Sequence, residues 1–259
     1  MKKDRPIIEY VLRSHARTQV LLAVAEDCDS TQALLDRDLA SKSAVYNALS
    51  ELQEQGLIYN PRSKRWSPTG TGTVVTDMIN RQRKTESVLA TDPDYWQTHD
   101  VTVLPPKFRT RLTELADGDV IRATETRPAN AICEVKQCLT KANSIDAITP
   151  VYNERLADAA TDANITRIIF DEDVLETLVE DPSAEDINNP ELIRVTEVSF
   201  AITITDDCLL LSLPTLDGKY DPQTEFIADS NAAQQWGKDL LEHYWTSAQT
   251  PEQYLSVPI

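Results

Sequence analysis

Residues 38–66 read DLASKSAVYNALSELQEQGLIYNPRSKRW, and this stretch decides the fold of the N-terminal part of the chain. Ser41 is a suitable N-cap, and Val45, Leu49 and Leu52 recur at helical spacing, which predicts an amphipathic helix. Gly56 suits the left-handed position that ends such a helix. The residues after it predict a short strand, a basic turn and a return strand. This order predicts the recognition helix and wing of a winged helix-turn-helix.

The helix face opposite the apolar one is polar, and it suits contact with DNA. Its side chains can bond to phosphates and to base edges in the major groove. Cations on the hairpin would displace counterions from the flanking backbone. An ordinary solvated helix is the alternative. The predicted DNA-binding residues are Ser41, Lys42, Ser43, Tyr46, Asn47, Ser50, Arg62, Lys64 and Arg65.

Short helical patterns precede this stretch, so that residues 1–68 form a small winged helix-turn-helix domain. The charge of the chain is uneven along its length. Residues 1–84 contain 13 lysines and arginines against 10 aspartates and glutamates, whereas residues 85–259 contain 12 against 32. The strongly acidic part would repel nucleic acid, which leaves the N-terminal part as the candidate DNA-binding region.

The formal net charge of −17 over 259 residues is typical of proteins from high-salt cytoplasm. We therefore expect a halophilic source, of archaeal origin. Molar salt weakens phosphate contacts. Base-edge contacts, and simultaneous binding by the two DNA-binding domains (heads) of a dimer, would then contribute more of the affinity.

Residues 69–91 are predicted to link the domains. One helix is expected from Thr73 to Ala90, after a break at Thr69 to Gly72. Its apolar seam is weak, because two of its positions are polar. The helix either packs on its own domain or forms a homodimer that places two recognition helices about one DNA turn apart. The seam residues are Val75, Met78, Gln82, Thr85 and Leu89.

Residues 92–259 predict an α/β domain with a mixed sheet, so the chain is α+β overall. Strands and helices alternate from Val120 to Val179, and three consecutive strands are expected at 195–198, 201–205 and 209–213. A closing helix is expected from Asn231 to Thr246.

Ligands of open α/β sheets bind beyond the carboxyl ends of the strands. Arginine and threonine side chains at these ends would suit an anionic metabolite such as a sugar phosphate. The alternative is that the arginines only pair with surface carboxylates. The candidate ligand-binding residues are Thr124, Arg127, Thr149, Tyr152 and Arg155.

No pattern in the sequence predicts an enzyme, a cofactor or a metal site. The histidines His15, His99 and His243 have no metal-ligand spacing, and a glycine-rich phosphate loop is absent. The four cysteines are widely spaced, which favours small buried side chains over disulfides or zinc ligands. Without a signal peptide or a membrane-spanning run, the chain is expected to be cytoplasmic.

Four stretches of the sequence resemble an archaeal family of winged-helix transcription regulators whose C-terminal part is the domain of the methanogenesis regulators. They are 96–100 with Leu104-Pro105, 202–206, 216–221, and Ala232 to Gly237 leading to Tyr244. The resemblance implies a DNA-binding regulator with an α/β sensory or dimerising domain, without implying a ligand. The hypothesis is a homodimeric, sequence-specific regulator that binds double-stranded DNA. The alternative is a winged-helix protein-interaction module that does not bind DNA directly.

Overall fold

The computed structural model describes residues 6–60, 65–180 and 189–256. The chain divides into two compact units, Met1–Lys84 and Thr85–Ile259. Each unit has its own hydrophobic core, so each is described by itself.

The first unit consists of short helices followed by a two-stranded antiparallel sheet, in the order that the sequence predicts. Serine side chains cap three of the helices, because Ser14, Ser30 and Ser41 each accept a hydrogen bond from a backbone N–H of the first turn. The elements are α1 (Ile7–Leu12), α2 (His15–Ala25), α3 (Thr31–Asp36), α4 (Lys42–Glu54), β1 (Ile58–Tyr59), β2 (Ser67–Pro68) and the start of α5 (Gly70–Thr91).

The end of α4 is fixed by Gly56, as the sequence predicts. This residue has φ of +67°, a conformation that glycine adopts without steric cost. Its N–H donates to the Gln53 carbonyl at 2.9 Å, and the N–H of Leu57 donates to the Leu52 carbonyl at 2.9 Å. These two bonds are a Schellman motif, which turns the chain sharply from α4 into β1.

The helix α5 begins earlier than the sequence predicts. Thr73 was the expected start, but Thr69 accepts a hydrogen bond from the N–H of Gly72 at 3.0 Å and so starts the helix at Gly70. A Cβ atom on Gly72 would lie 1.9 Å from the carbonyl oxygen of Leu57. The apparent break at Thr69 to Gly72 is therefore a helix start in close contact with β1.

The second unit is built on a seven-stranded mixed sheet, which confirms the predicted α+β class. The strand order is β3-β9-β8-β7-β4-β5-β6, with β4, β5 and β6 parallel and the other pairs antiparallel. The elements after α5 are α6 (Pro93–Thr98), α7 (Pro106–Arg109), β3 (Asp119–Arg122), α8 (Asn130–Lys141), β4 (Ser144–Thr149), α9 (Glu154–Ala159), β5 (Asn164–Phe170), α10 (Glu172–Glu180), β6 (Ile193–Val195), β7 (Ala201–Ile204), β8 (Leu209–Ser212), β9 (Thr224–Ala228), α11 (Asn231–Trp245) and α12 (Pro251–Leu255).

Two features of this sheet differ from the sequence prediction. The expected strand at 195–198 ends at Val195, because the N–H of Val198 donates to the carboxylate of Asp171 instead of to a strand. Strand β9 was not predicted, yet it pairs with both β3 and β8. The strand β3 consequently lies at the far edge of the sheet and not beside β4.

The main core of the second unit lies on one face of the sheet, where α11 packs with Trp236 fully buried. His99 is part of this packing. Its ring stacks on Tyr95 with centroids 4.3 Å apart, and its Nδ1 lies 2.9 Å from the carbonyl oxygen of the same residue. Its Nε2 lies 3.2 Å from the carboxylate of Asp221. These contacts give His99 a packing and hydrogen-bonding role.

No helix in residues 6–60, 65–180 or 189–256 has both the length and the apolar character that crossing a bilayer requires.

Candidate nucleic-acid interface

The helix α4 presents a polar face to solvent and buries an apolar one. Val45, Leu49 and Leu52 are at most 3% exposed and pack in the core of the first unit. The six candidate side chains on the opposite face are all exposed; they are Ser41, Lys42, Ser43, Tyr46, Asn47 and Ser50. The helical period therefore places the candidate residues on one accessible surface.

Three side chains on this surface are available for new contacts. Within the described part of the chain, Lys42, Tyr46 and Asn47 have no hydrogen-bond or ion-pair partner. The two terminal serines have local roles, since Ser41 caps the helix and Ser50 donates to the carboxylate of Glu54 at 3.4 Å. The surface thus offers an ammonium, a phenol and an amide, which can bond to phosphates and base edges.

The orientation of α4 is set by α2, against which it packs. Arg17 of α2 donates from Nη1 to the carboxylate of Glu51 at 2.7 Å, and its guanidinium lies 4.1 Å from the centroid of the Tyr10 ring. Thr18 donates to the backbone carbonyl of Val11 at 3.0 Å and connects α2 to α1. These contacts hold α4 in place while its polar face stays open.

The hairpin after α4 is attached to the start of α3. The indole N–H of Trp66 donates to the hydroxyl of Thr31 at 3.1 Å, and Nη1 of Arg65 lies 3.2 Å from the carboxylate of Asp29. The Arg65 side chain is 71% exposed, so this ion pair is weak and its cation can turn to a phosphate. The other two candidates on the hairpin, Arg62 and Lys64, lie outside the described residues.

The predicted seam on α5 is interrupted in the structure. Val75 is 2% exposed and belongs to the core of the first unit, so it cannot face a partner helix. Val74, Met78 and Leu89 are 58%, 50% and 40% exposed. Any contact between two copies of α5 would use these exposed apolar side chains.

The candidate ligand-binding residues of the second unit do not form one group. Thr149 and Tyr152 line a cavity between the sheet and the helices α8 and α9, and Tyr152 and Arg155 line a smaller pocket that shares part of its wall. Thr124 and Arg127 follow β3, which three strands separate from β4. At a spacing of ~4.8 Å per strand, this separation is roughly 19 Å.

The cavity includes a residue that sequence reasoning missed. Glu225 on β9 is only 7% exposed and lines the cavity wall. Residues 224–228 contain this one carboxylate before three consecutive apolar residues, a pattern that does not show by itself that the carboxylate is buried.

The described residues contain no cluster of three or more histidine, cysteine or acidic side chains that could hold a metal ion. All four cysteines are free, but they are not uniformly buried as expected. Cys28 and Cys208 are buried, Cys138 is half-buried, and Cys133 is exposed on α8.

Two solved structures align with most of the chain at low similarity. One is described as TrmBL2, an archaeal chromatin protein with a novel mode of DNA binding; it has 15% identity and a TM-score of 0.40 over 96% of this chain and 100% of the other. The other is a crystal structure of a hypothetical protein, with 13% identity and a TM-score of 0.23 over 92% of this chain and 57% of the other. TM-scores of this size do not establish a shared fold.

A curated relative is the methanogenesis regulatory protein FilR1 of Methanothrix harundinacea (strain 6Ac). It is 24% identical over 166 residues, which are 59% of this chain and 37% of the relative. The alignment therefore spans little more than a third of that protein. A family model described as the middle domain of the methanogenesis regulatory protein FilR1 matches residues 128–247. This region, which runs from α8 to the end of α11 and includes all the described residues that line the cavity, is similar to the middle domain of the methanogenesis regulatory protein FilR1.

Proposed function

We propose that the chain is a sequence-specific, DNA-binding transcriptional regulator. Residues 1–68 would be a winged helix-turn-helix that binds DNA, residues 69–91 a linker that dimerises, and residues 92–259 a domain that senses an effector. The observation that carries this proposal is the exposed polar face of α4, held on a buried apolar face. The similarity of residues 128–247 to a domain of regulatory proteins supports it.

The physical basis is the way in which α4 would enter the major groove. An amide such as Asn47 can bond to an adenine edge with two hydrogen bonds, which distinguishes this base from the others. Lys42 and the wing cations Arg62, Lys64 and Arg65 would bind phosphates and fix the register without reading sequence. Residues 42–50 contain no acidic side chain that would repel the backbone.

We also propose a homodimer and a halophilic source. Exposed Met78 and Leu89 on α5 support a contact between two copies. A dimer would bind two half-sites about one DNA turn, roughly 34 Å, apart. The excess of 20 acidic over basic residues in 85–259 supports a protein adapted to high salt, where a carboxylate surface stays solvated.

Control by a small molecule is the third part of the proposal. An effector would act by shifting the populations of two arrangements of the DNA-binding heads. A small anionic metabolite such as a sugar phosphate is supported by exposed Arg155 in the smaller pocket. The larger cavity favours a different ligand, because no lysine, arginine or histidine is among the described residues that line it.

The alternative function is a protein-interaction winged helix without direct DNA contact. It is favoured by the small positive charge of residues 1–84, with 13 basic against 10 acidic residues. Footprinting of the purified full chain on genomic fragments separates the two functions. Protected sites support the regulator, whereas uniform cleavage supports the interaction module.

The recognition surface is tested by mobility-shift assays on an operator selected from random DNA. We expect Asn47→Ala to weaken operator binding about tenfold or more while affinity for random DNA stays unchanged, because a lost base contact costs about 1–3 kcal/mol. Lys64→Ala should weaken binding to both DNAs about equally. Gln53→Ala is the matched control, since Gln53 is exposed on α4 outside the candidate face. Unchanged discrimination in Asn47→Ala would contradict the assignment.

A further inference from the structure

A cavity in the second unit lies between the sheet and the helices α8 and α9. Its volume is about 480 Å³, which is within the range of sites for small organic molecules. It contains none of the residues of the main core around Trp236, so it is a separate space on the other face of the sheet.

Small side chains on the sheet create this space. Ala147 on β4 lies opposite Thr203 on β7, and Ala201 on β7 lies opposite Ser212 on β8. All four line the cavity. The alternate residues of the same strands, which face the core, are large: Ile148, Ile202, Ile204, Leu209 and Leu211. Protein interiors are normally close-packed. The small residues on this face of the three strands therefore indicate a cavity that the sequence specifies, and not a packing defect.

The wall opposite the sheet is apolar. It is formed by Val135 and Leu139 of α8 and by Leu156 and Ala157 of α9. Such a wall binds an apolar body, because burying its surface gains about 25 cal/mol per Å². No lysine, arginine or histidine is among the described residues that line this cavity.

One acidic group lies at the polar end of the cavity. Glu225 is buried, and Ser212 donates to its Oε2 at 2.5 Å. Ser212 is the one hydrogen-bond partner of this carboxyl within the described residues. Burial raises the pKa of Glu225 to about 8, partly offset by the bond from Ser212. The described titratable groups that interact electrostatically with it are the thiol of Cys208 and the phenols of Tyr220 and Tyr95, so no described cation compensates a charge there.

The charge around the cavity distinguishes between ligand classes. A buried carboxylate is costly unless a cation pairs with it. A ligand anion would meet Glu225 without a compensating cation, in a unit with 32 acidic and 12 basic residues. A ligand cation would supply the missing partner. The wall also contains the aromatic rings of Tyr152 and Phe170, on which the apolar body of such a ligand can pack.

We propose that this cavity binds a lipophilic ammonium, with an apolar body between α8, α9 and the sheet and a protonated amine at the carboxylate of Glu225. On binding, the neutral carboxyl group loses its proton to solvent and the amine keeps its own, so that one ion pair forms and one proton is released per ligand. That such a ligand controls DNA binding rests on the proposed function. The binding itself does not.

Isothermal titration calorimetry of the full chain tests the proposal with three compounds that share one alkyl body. We expect octylamine to bind about tenfold or more tightly than octanol, and octanoate to bind weakest. Titrations in two buffers of different ionisation enthalpy count the protons released. At a pH at least about one unit below the pKa of Glu225, octylamine should release close to one proton per molecule, and octanol none.

The variants Glu225→Gln and Glu252→Gln form a matched pair. Glu252 is exposed on α12 and lines neither pocket, so its variant should bind octylamine like the wild type. Glu225→Gln should bind octylamine at least about tenfold more weakly, release no proton and bind octanol as before. Ala147→Leu, which fills the cavity, should weaken the binding of both octylamine and octanol. It tests the location of the site if Glu225→Gln does not fold.

Three results would overturn the proposal: equal affinity for octylamine and octanol, binding of octylamine without proton release, or octanoate as the tightest ligand. Each of these assays is free of DNA. A negative calorimetry result would therefore contradict the ligand proposal without affecting the proposed DNA binding. A failure to bind DNA would contradict the proposed function without affecting the ligand proposal.

Discussion

At the scale of the residue, the buried carboxyl of Glu225 couples the stability of the second unit to pH. Its pKa is raised from 4.5 to about 8 by burial, so the folded chain holds a proton that the unfolded chain has lost between these values. Stability from this group is therefore complete below pH 4.5 and falls as the pH rises towards 8, by up to about 1.4 kcal/mol per unit.

Glu225→Gln should remove this dependence, because an amide stays neutral throughout. Denaturant unfolding of the full-length wild type and variant, measured at pH values across the window, gives the difference in free energy of unfolding. The variant should gain stability relative to the wild type as the pH rises. A difference that stays constant with pH would show that Glu225 is ionised in the folded chain.

The side chains of α4 that are exposed to solvent could be predicted from the sequence, whereas the cavity could not. A helical period fixes which side chains of α4 face outward, so exposure of Asn47 and Tyr46 follows from the spacing of Val45 and Leu49. Contact of these residues with DNA stays a prediction. Glu225 was missed because its role depends on a void formed by residues from α8, α9 and five other strands. Such a void has no local signature.

At the scale of the element, the junction between β1 and α5 depends on the absence of a side chain at position 72. An ideal Cβ on Gly72 would lie 1.9 Å from the carbonyl oxygen of Leu57, so one of these backbone segments must move. We expect Gly72→Ala to destabilise the first unit by about 1–3 kcal/mol, as overpacked sites do. Thermal unfolding followed by circular dichroism measures the loss.

Gly70→Ala is the control for this prediction, since it lies in the first turn of the same helix with no atom within 4 Å of an added Cβ. It should be neutral or stabilising by up to about 1 kcal/mol, because alanine favours the helix. Equal unfolding temperatures for the two variants would mean that the junction relaxes without cost.

The order of strands shows where element-level prediction ends. Strands β4 and β5 were recognisable because apolar runs alternate with helical patterns, whereas β6 shares only Val195 with the predicted strand at 195–198. The position of β3 depends on its pairing with β9, which lies about a hundred residues later in the chain. Local sequence contains no information on such a pairing. This is why Thr124 and Arg127 were grouped with residues that follow β4, although three strands separate β3 from β4.

At the scale of the whole molecule, the uneven charge gives salt two opposite effects. Residues 85–259 hold 32 acidic and 12 basic residues, and salt screens the repulsion among them, which stabilises the fold. In the proposed function, DNA binding would depend on the cations Lys42, Arg62, Lys64 and Arg65, and salt would weaken it by restoring counterions to the phosphates. If the proposed function holds, the same ions that stabilise the fold would reduce the affinity of the chain for DNA.

The salt dependence of DNA binding would show whether one or two DNA-binding heads contact the DNA. Four cations predict that log Kobs falls against log salt with a slope of about −4 for one head and about −7 for two. Fluorescence anisotropy of a labelled operator over a range of KCl concentrations measures this slope. Lys42→Gln should make the slope less steep by about 1 for one head and about 2 for two. Lys238 is exposed on α11 in the second unit, so Lys238→Gln should leave the slope unchanged. A slope near zero in the wild type would contradict phosphate contact by this surface, because neutral contacts alone release no counterions.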